Sequence, residues 1–169
     1  MSRRRRQVTS VSWLYRSEEG FSFFELLAVV LMITALAAVG VPSVQKAISW
    51  GNLSNGARTV ATDLRAAQQT AITTALKVQI RFTIVAGQPG YYDFYQEDPV
   101  THAIVATGRR VALERGASLV AADFAGQPVV EFDALGGATN AGTVILASPL
   151  GEQLKITVDA ITGRVKITK

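Results

Sequence analysis

One carboxylate lies inside an otherwise uncharged apolar run, and it is the clearest candidate for a functional residue in this sequence. Residues 21–41 contain Glu25 as their single charged residue. A charged side chain at the centre of a bilayer costs roughly 2.5–3.5 kcal/mol, so an ionisable residue in a membrane-type segment indicates a function. A buried carboxylate is tolerated when it is paired with a cation and hydrogen-bonded. We therefore expect Glu25 to have a charge partner.

The other reactive side chains form no catalytic or metal-binding pattern. His102 is the single histidine, and it lies in a predicted loop without a recognisable partner, so we interpret it as a solvated loop residue. Glu97 and Asp98 are adjacent acids that lack the spaced carboxylates of a calcium-binding loop, and we interpret them as a polar turn. The sequence contains no cysteine, which excludes disulfides, thiolate metal sites and cysteine nucleophiles. We expect no enzymatic activity, no metal site and no cofactor.

Basic residues near the C-terminus are a candidate anion-binding group: Lys155, Arg164, Lys166 and Lys169. If Lys155, Arg164 and Lys166 lie on adjacent strands of a hairpin, they would share a face and could contact phosphates. The favoured alternative is a solvated outer face, where lysines also prevent edge-to-edge aggregation of strands. No aromatic residue interleaves with the group, which argues against a stacking platform for single-stranded nucleic acid.

The apolar run that holds Glu25 is long enough to cross a membrane. A helix of 21 residues would span roughly 31 Å, close to the ~30 Å of a bilayer core. Residues 1–20 contain five of the 17 basic residues and two of the 13 acidic residues. Because basic flanks stay in the cytoplasm, the chain after Val41 is expected across the membrane. That remainder has 12 basic and 11 acidic residues, so its net charge does not predict nucleic-acid binding.

The residues alone leave three interpretations of this N-terminal region open. A plain membrane anchor explains the length of the apolar run but not Glu25. A secretory signal would use residues 26–34 as its apolar core and Ala35-Leu36-Ala37 as its cut site. The third interpretation is a prepilin-type signal, in which Gly20 ends a charged leader.

The segment closely resembles the N-terminus of the type IV pilin and pseudopilin superfamily. In that family the leader is cut after a glycine and before a phenylalanine, and a glutamate is the fifth mature residue. Here these residues are Gly20, Phe21 and Glu25, while Ser22-Phe23-Phe24 replaces the commoner Thr-Leu-Ile. The resemblance implies that a prepilin peptidase removes residues 1–20 and methylates the amine of Phe21. It also implies that the apolar helices pack as a filament core, with Glu25 paired to the Phe21 ammonium of a neighbouring subunit.

Gly40 and Pro42 lie at the end of the predicted membrane helix, residues 21–42. Proline removes a backbone donor and crowds the preceding turn, so a helix break is predicted there. Pilin-like proteins often carry a proline at this point, and the resemblance implies that the loosened segment lets the helix stretch as it packs. A simple kink at the membrane exit is the alternative.

Residues 43–76 are predicted to form an amphipathic helix. Apolar residues recur at spacings of three and four and give one face: Leu53, Ala57, Val60, Ala61, Leu64, Ala67 and Ala71. Gly51 and Gly56 predict an interruption of this helix near residues 50–56.

Short β-type runs fill residues 77–169. They are residues 77–85, 91–96, 109–114, 118–122, 129–133, 143–147, 154–159 and 164–168. One long helix followed by eight strands predicts an α+β fold, in which the helix packs on an antiparallel β-sheet or a small β-sandwich. Residues 154–168 are predicted to form a hairpin with residues 160–163 as its turn.

This arrangement narrows the resemblance to the GspH/FimT branch, meaning the H-type minor pseudopilins of type II secretion and related minor pilins. Short matches carry it: Leu64-Arg65-Ala66-Ala67, Ala71-Ile72, Phe132-Asp133-Ala134-Leu135-Gly136, Asn140-Ala141-Gly142-Thr143-Val144 and Thr162-Gly163-Arg164-Val165. The branch often has arginine after the glycine at position 136, where this chain has Gly137. Related FimT-type pilins carry a basic Gly-Arg motif that binds DNA, which here reads Gly163-Arg164-Val165-Lys166.

The resemblance implies a minor pseudopilin, a structural subunit of the type II secretion pseudopilus that supports protein export across the outer membrane. Its implied partners are the prepilin peptidase, other pseudopilins, the inner membrane and secreted proteins. The alternative is a FimT-like minor type IV pilin that acts in pilus assembly or in DNA binding and uptake. In either case we expect a single-pass protein of the bacterial inner membrane, with a cytoplasmic N-terminus and a periplasmic β-rich domain, which then joins a filament.

Overall fold

A computed structural model describes residues 22–114 and 116–169. Within these residues, one helix, α1 (Phe23–Thr74), precedes eight strands. The strands are β1 (Val78–Thr83), β2 (Tyr91–Glu97), β3 (Ile104–Ala112), β4 (Ser118–Phe124), β5 (Val129–Phe132), β6 (Gly142–Ala147), β7 (Gln153–Val158) and β8 (Val165–Thr168). The contacts divide the chain into two compact units, Met1–Val41 and Pro42–Lys169.

In the first unit, α1 begins directly after Ser22. The backbone N–H groups of Glu25 and Leu26 donate to the Ser22 carbonyl oxygen at 2.9 and 3.1 Å. Ser22 and Glu25 have the spacing of a capping box, in which a serine is followed three residues later by a glutamate. Glu25 also lies in the first turn of α1, where the helix dipole favours a negative charge.

The backbone of α1 is helical at every position where the sequence predicted an interruption. The interruption predicted near residues 50–56 is wrong, because this segment is helical throughout. Gly56 instead permits close packing, since a Cβ added there would lie 2.8 Å from the Ala117 Cβ. The backbone is also helical at Gly40 and Pro42, so the described chain has no helix break there. Loosening of that segment in a filament stays a prediction.

Two four-stranded antiparallel sheets follow the helix. The first sheet has the order β3-β2-β1-β5, and the second sheet has the order β4-β6-β7-β8. The eight predicted strands are all present, although β3 begins at Ile104 and not at Arg109. Strands β7 and β8 pair as the predicted hairpin, with Val158 opposite Val165. The predicted α+β architecture, a long helix packed on antiparallel sheets, is confirmed.

The core of the second unit lies between α1 and the inner faces of the two sheets. The predicted apolar face of α1 is buried at all of its positions: Leu53, Ala57, Val60, Ala61, Leu64, Ala67 and Ala71. Strand β1 buries Val78, Ile80 and Phe82 in alternation with residues that point outward. Phe82 of the first sheet stacks on Phe124 of the second sheet, with 6.0 Å between ring centroids. This contact joins the two sheets into a single core.

Candidate functional site

The apolar part of α1 that carries Glu25 is the first candidate site. This helix is long and apolar enough to cross a membrane, by length and composition. Its large side chains are exposed: Phe23, Phe24, Leu26, Leu27, Val29, Val30, Leu31, Met32, Ile33 and Leu36. Glu25 is exposed among them. The arrangement places one carboxylate on a surface that otherwise suits a lipid or another apolar helix.

The predicted processing site precedes the described part of the chain. Gly20 and Phe21 lie outside residues 22–114 and 116–169, so cleavage between them and methylation of Phe21 stay predictions. A cation partner for Glu25 at the Phe21 amine likewise stays a prediction.

The basic residues of the β7–β8 hairpin form the second candidate site, which we call the basic face (Lys155, Arg164 and Lys166). The register sets Lys155 opposite Thr168 and Thr157 opposite Lys166. Alternate residues of both strands point into the core, so Lys155 and Lys166 project from the outer face, and all three cations are exposed. Arg164 and Lys166 line an open depression of about 580 Å³ beside Asp159. The basic face therefore has the geometry that the hairpin pattern predicted.

Lys169 does not belong to the basic face. Its Nζ lies 4.8 Å from the centroid of the Trp50 ring, a cation–π contact with α1. Trp50 itself is partly buried and packs against the core. Of the basic residues predicted at the C-terminus, three share a face and Lys169 attaches the end of the chain to the helix.

The turn that precedes Arg164 is hydrogen-bonded to α1. The Gln68 Nε2 donates to the carbonyl oxygens of Gly136 at 2.7 Å and Thr162 at 2.9 Å, so one side chain fastens two turns. Gly163 has a φ of +61°, and a Cβ added there would collide with the Gly136 carbonyl oxygen. The backbone N–H and hydroxyl of Thr162 both donate to Asp159, which lowers the pKa of that carboxyl.

The departure from the branch pattern at Gly137 coincides with a close approach of two turns. The Gly137 N–H donates to the Asp133 Oδ1 at 2.9 Å. A Cβ at position 137 would lie 3.2 Å from both the Asp133 Oδ2 and the Ile161 carbonyl oxygen. The packing in this chain therefore leaves little room for a side chain at this position.

A buried polar network fixes α1 on the first sheet, and the sequence did not predict it. Tyr92 donates its hydroxyl to the Asp63 Oδ2 at 2.6 Å, and the Arg109 Nη2 donates to the Asp63 Oδ1 at 2.7 Å. Burial and the hydrogen bond to Asp63 raise the pKa of Tyr92. Arg109 also covers the Phe94 ring, with 4.3 Å from its guanidinium carbon to the centroid. The sequence contained one signal for this network, because Asp63 is an acid directly before Leu64 of the apolar face.

The residues His102, Glu97 and Asp98 have structural partners. The His102 Nδ1 lies 2.7 Å from the Glu97 Oε1, so the expectation that this histidine has no partner is wrong. The Asp98 Oδ1 accepts hydrogen bonds from the backbone N–H groups of Val100 and Thr101, which lower the pKa of Asp98. This is the predicted polar turn. Within residues 22–114 and 116–169, no group of three or more metal-ligating side chains is present.

Comparison with known proteins gives one family and a common fold. The family model for the type II transport protein GspH matches residues 56–163. The minor pseudopilin EpsH from the type 2 secretion system of Vibrio cholerae has a TM-score of 0.52 at 14% identity, over 69% of this chain and 96% of that chain. The type IV minor pilin FimU of Pseudomonas aeruginosa has a TM-score of 0.52 at 13% identity, over 70% of this chain and 90% of that chain. No curated protein sequence matches the chain significantly. At these identities the two structures show the fold alone.

Proposed function

Because the chain belongs to the GspH family of type II transport proteins, within the type IV pilin and pseudopilin superfamily, we propose that it is a minor pseudopilin of a type II secretion system. It is a structural subunit and not an enzyme. The apolar part of α1 anchors it in the bacterial inner membrane, with the β-rich domain in the periplasm. After removal of residues 1–20 it joins a periplasmic pseudopilus together with other pseudopilins, and this filament supports protein export.

The observation that carries this proposal is the exposed apolar helix with Glu25 in its first turn. A side-by-side bundle of such helices covers their apolar surfaces, but it also removes Glu25 from water. The desolvated carboxylate then requires a cation and further hydrogen bonds. Cleavage after Gly20 by the prepilin peptidase creates that cation, because it frees the amine of Phe21, which remains charged when methylated. The Phe21 ammonium of a neighbouring subunit pairs with Glu25.

The replacement of Glu25 by alanine tests the pairing. Breaking a buried ion pair by removing one partner costs about 3–5 kcal/mol, which corresponds to at least a hundredfold loss in the equilibrium for assembly. We expect Glu25→Ala to be cleaved normally and to be lost from sheared, sedimented filaments. Glu152→Ala, which removes an exposed acid of the β-rich domain, is the control and should assemble as the wild type does. Normal assembly of Glu25→Ala would refute the pairing.

The basic face supports a second candidate function, a FimT-like minor type IV pilin that binds DNA. Its three cations lie on one exposed face, beside a turn held in place by α1. If each cation neutralises one phosphate, the affinity should fall about 40-fold between 50 and 200 mM salt.

A gel-shift titration of residues 51–169 with duplex DNA tests this candidate. Replacement of Lys155, Arg164 and Lys166 by alanine should abolish a salt-sensitive shift. Replacement of Arg58 and Arg81, which are exposed elsewhere, should leave it in place. The absence of any salt-sensitive shift of the wild type at micromolar protein would remove the DNA-binding function.

A further inference from the structure

Two neighbouring cavities of the second unit are lined mainly by apolar residues. The first, of about 280 Å³, lies between helix positions 45–52 and the turn that joins β6 to β7. The second, of about 450 Å³, runs along the loop that joins β1 to β2. Both are lined by Gly116 and Pro149, so they adjoin. We call the combined surface the Ser49 groove.

The Ser49 groove exposes aliphatic side chains. Ile48 is 58% exposed and Leu150 is 53% exposed on the two sides of the first cavity. Ile84 and Val120 are exposed in the second cavity. All described lining residues of both cavities are uncharged. An apolar occupant is therefore expected, because it would remove these exposed aliphatic side chains from water.

The Ser49 hydroxyl requires that an occupant of the groove also carry a hydrogen-bonding group. Its side chain is 9% exposed and lines the first cavity, yet its Oγ has no hydrogen-bond partner among the described residues. Other hydroxyls on α1 donate to the carbonyl oxygen four residues earlier, as Thr59 does to Asn55 and Thr70 does to Ala66. A buried hydroxyl without a partner is rare in native proteins and destabilises the fold. It is satisfied when the occupant brings a donor or an acceptor.

An apolar helix that carries a hydroxyl or amide side chain meets both requirements. Transmembrane helices associate through close packing and through such interhelical hydrogen bonds. Val44 and Ile48 are both exposed and lie one turn apart on α1, so they form a ridge that ends in the groove. A second helix packed along this ridge would reach Ser49. The segment of α1 before Val41 is a helix of this kind, with Thr34 among its apolar residues.

We propose that the Ser49 groove binds the apolar helix of a neighbouring pilin-like subunit, with the Ser49 hydroxyl hydrogen-bonded to a polar side chain of that helix. This inference rests on the proposed function, since it requires assembly with other subunits. It assigns a contact to the β-rich domain and the adjoining part of α1, separate from the Glu25 pair.

Site-directed photocrosslinking in assembled filaments tests the occupant. The chain has no cysteine, so Leu150→Cys introduces a single thiol that can be labelled with a benzophenone maleimide. After irradiation of filaments that contain the labelled full chain, peptide mapping by mass spectrometry should identify the apolar N-terminal helix of a pilin-like subunit. Leu135→Cys is the matched control, because Leu135 is 92% exposed outside the groove. It should not capture that helix.

Capture of lipid alone, of β-strand peptides alone, or of nothing by Leu150→Cys would overturn the proposal. Equal capture of the helix by Leu135→Cys would overturn it as well. If the wild type enters filaments in a Glu25-dependent way while Leu150→Cys captures no helix, only this inference fails. If the wild type enters no filament, the proposed function and this inference fail together.

Ser49→Ala is a second test, in which stability of the isolated subunit and capture of the helix should change in opposite directions. Removal of a hydroxyl without a partner should raise the melting temperature of the isolated subunit. In filaments that also carry labelled Leu150→Cys, the same change should lower capture of the helix at least threefold. If Ser49 had only a structural role, the substitution would change the melting temperature without lowering capture of the helix. Unchanged capture would therefore overturn the role of the hydroxyl.

Discussion

Tyr92→Phe removes a single hydroxyl from the contact between α1 and the first sheet. The Tyr92 side chain is 1% exposed, and its hydroxyl donates to the Asp63 Oδ2 at 2.6 Å. The substitution keeps the ring, so its packing against Phe82 and Phe94, at centroid distances of 5.6 and 5.9 Å, is retained. The expected effect therefore comes from the lost hydrogen bond and not from a cavity.

A hydrogen bond to a charged group contributes about 1.5–3 kcal/mol to stability. Asp63 keeps Arg109 as a partner after the substitution, so we expect the lower half of that range. A loss of about 1.5–2 kcal/mol should lower the melting temperature of residues 42–169 by roughly 5–10 °C. This fragment contains the complete buried core.

The same contact predicts a pH dependence of stability. Burial and the Asp63 hydrogen bond raise the pKa of Tyr92 above its ordinary value of 10.0. The folded chain therefore keeps the phenol proton at pH values where the unfolded chain loses it. This contribution to stability is complete below pH 10 and is lost as the pH rises further, at about 1.4 kcal/mol per pH unit for one proton. The stability difference between wild type and Tyr92→Phe should narrow by about 1.4 kcal/mol from pH 8 to pH 11.

Urea unfolding followed by circular dichroism at both pH values measures this difference. Tyr95→Phe is the control, because Tyr95 lies on the opposite face of β2, where its ring packs under Arg81 at 4.2 Å. That substitution should change stability by less than about 0.5 kcal/mol. The reasoning is refuted if both substitutions have equal effects, or if the difference at Tyr92 stays constant with pH.

Three further substitutions have definite expected outcomes. Gly20→Ala should block leader removal, so mass spectrometry should find residues 1–20 still attached; a normal mature mass would contradict the prepilin interpretation. Gln68→Ala removes both hydrogen bonds to the carbonyls of Gly136 and Thr162. It should lower the free energy of unfolding by about 1–3 kcal/mol and accelerate amide exchange in those two turns. Unchanged exchange would show that Gln68 does not hold them. Gly163→Ala places a side chain at a φ of +61° against the Gly136 carbonyl, so urea unfolding should show a loss of about 2–4 kcal/mol, and a loss below about 1 kcal/mol would contradict this packing.

The local periodicities of the sequence predicted the helix and the strands, because neighbouring residues determine the formation of each of these elements. The spacing of three and four from Leu53 to Ala71 identified the buried face of α1, and every residue of that face is buried. The β-type run at residues 77–85 identified β1 in the same way. The basic face was predictable for this reason too, since a hairpin with a period of two determines which side chains share a surface.

The errors arose where contacts between distant residues decide the outcome. Gly51 and Gly56 lower helix propensity, but the segment is helical, and Gly56 lies where a Cβ would approach the Ala117 Cβ to 2.8 Å. The residues around Asp63 do not indicate its partners, because only the fold brings Tyr92 and Arg109 to it. The Ser49 groove was equally hidden, because its lining comes from α1 and from three separate loop regions.

The exposure of α1 changes along its length, and this change relates the proposed Glu25 pair to the proposed contact at the Ser49 groove. Up to Ile48 its large apolar side chains are exposed wherever their exposure is described, and from Leu53 onward one face is buried by the sheets. Between these two regions Val44 and Ile48 are exposed, while Ser49 is buried and its Oγ has no hydrogen-bond partner in the described part of the chain. The sheets and the other described side chains leave Val44 and Ile48 exposed, and they give the Ser49 Oγ no hydrogen bond. A neighbouring helix would cover the two aliphatic residues and supply the missing hydrogen bond, just as a neighbouring amine would neutralise Glu25. If both proposals hold, the assembly of the subunit with others of its kind would remove both costs.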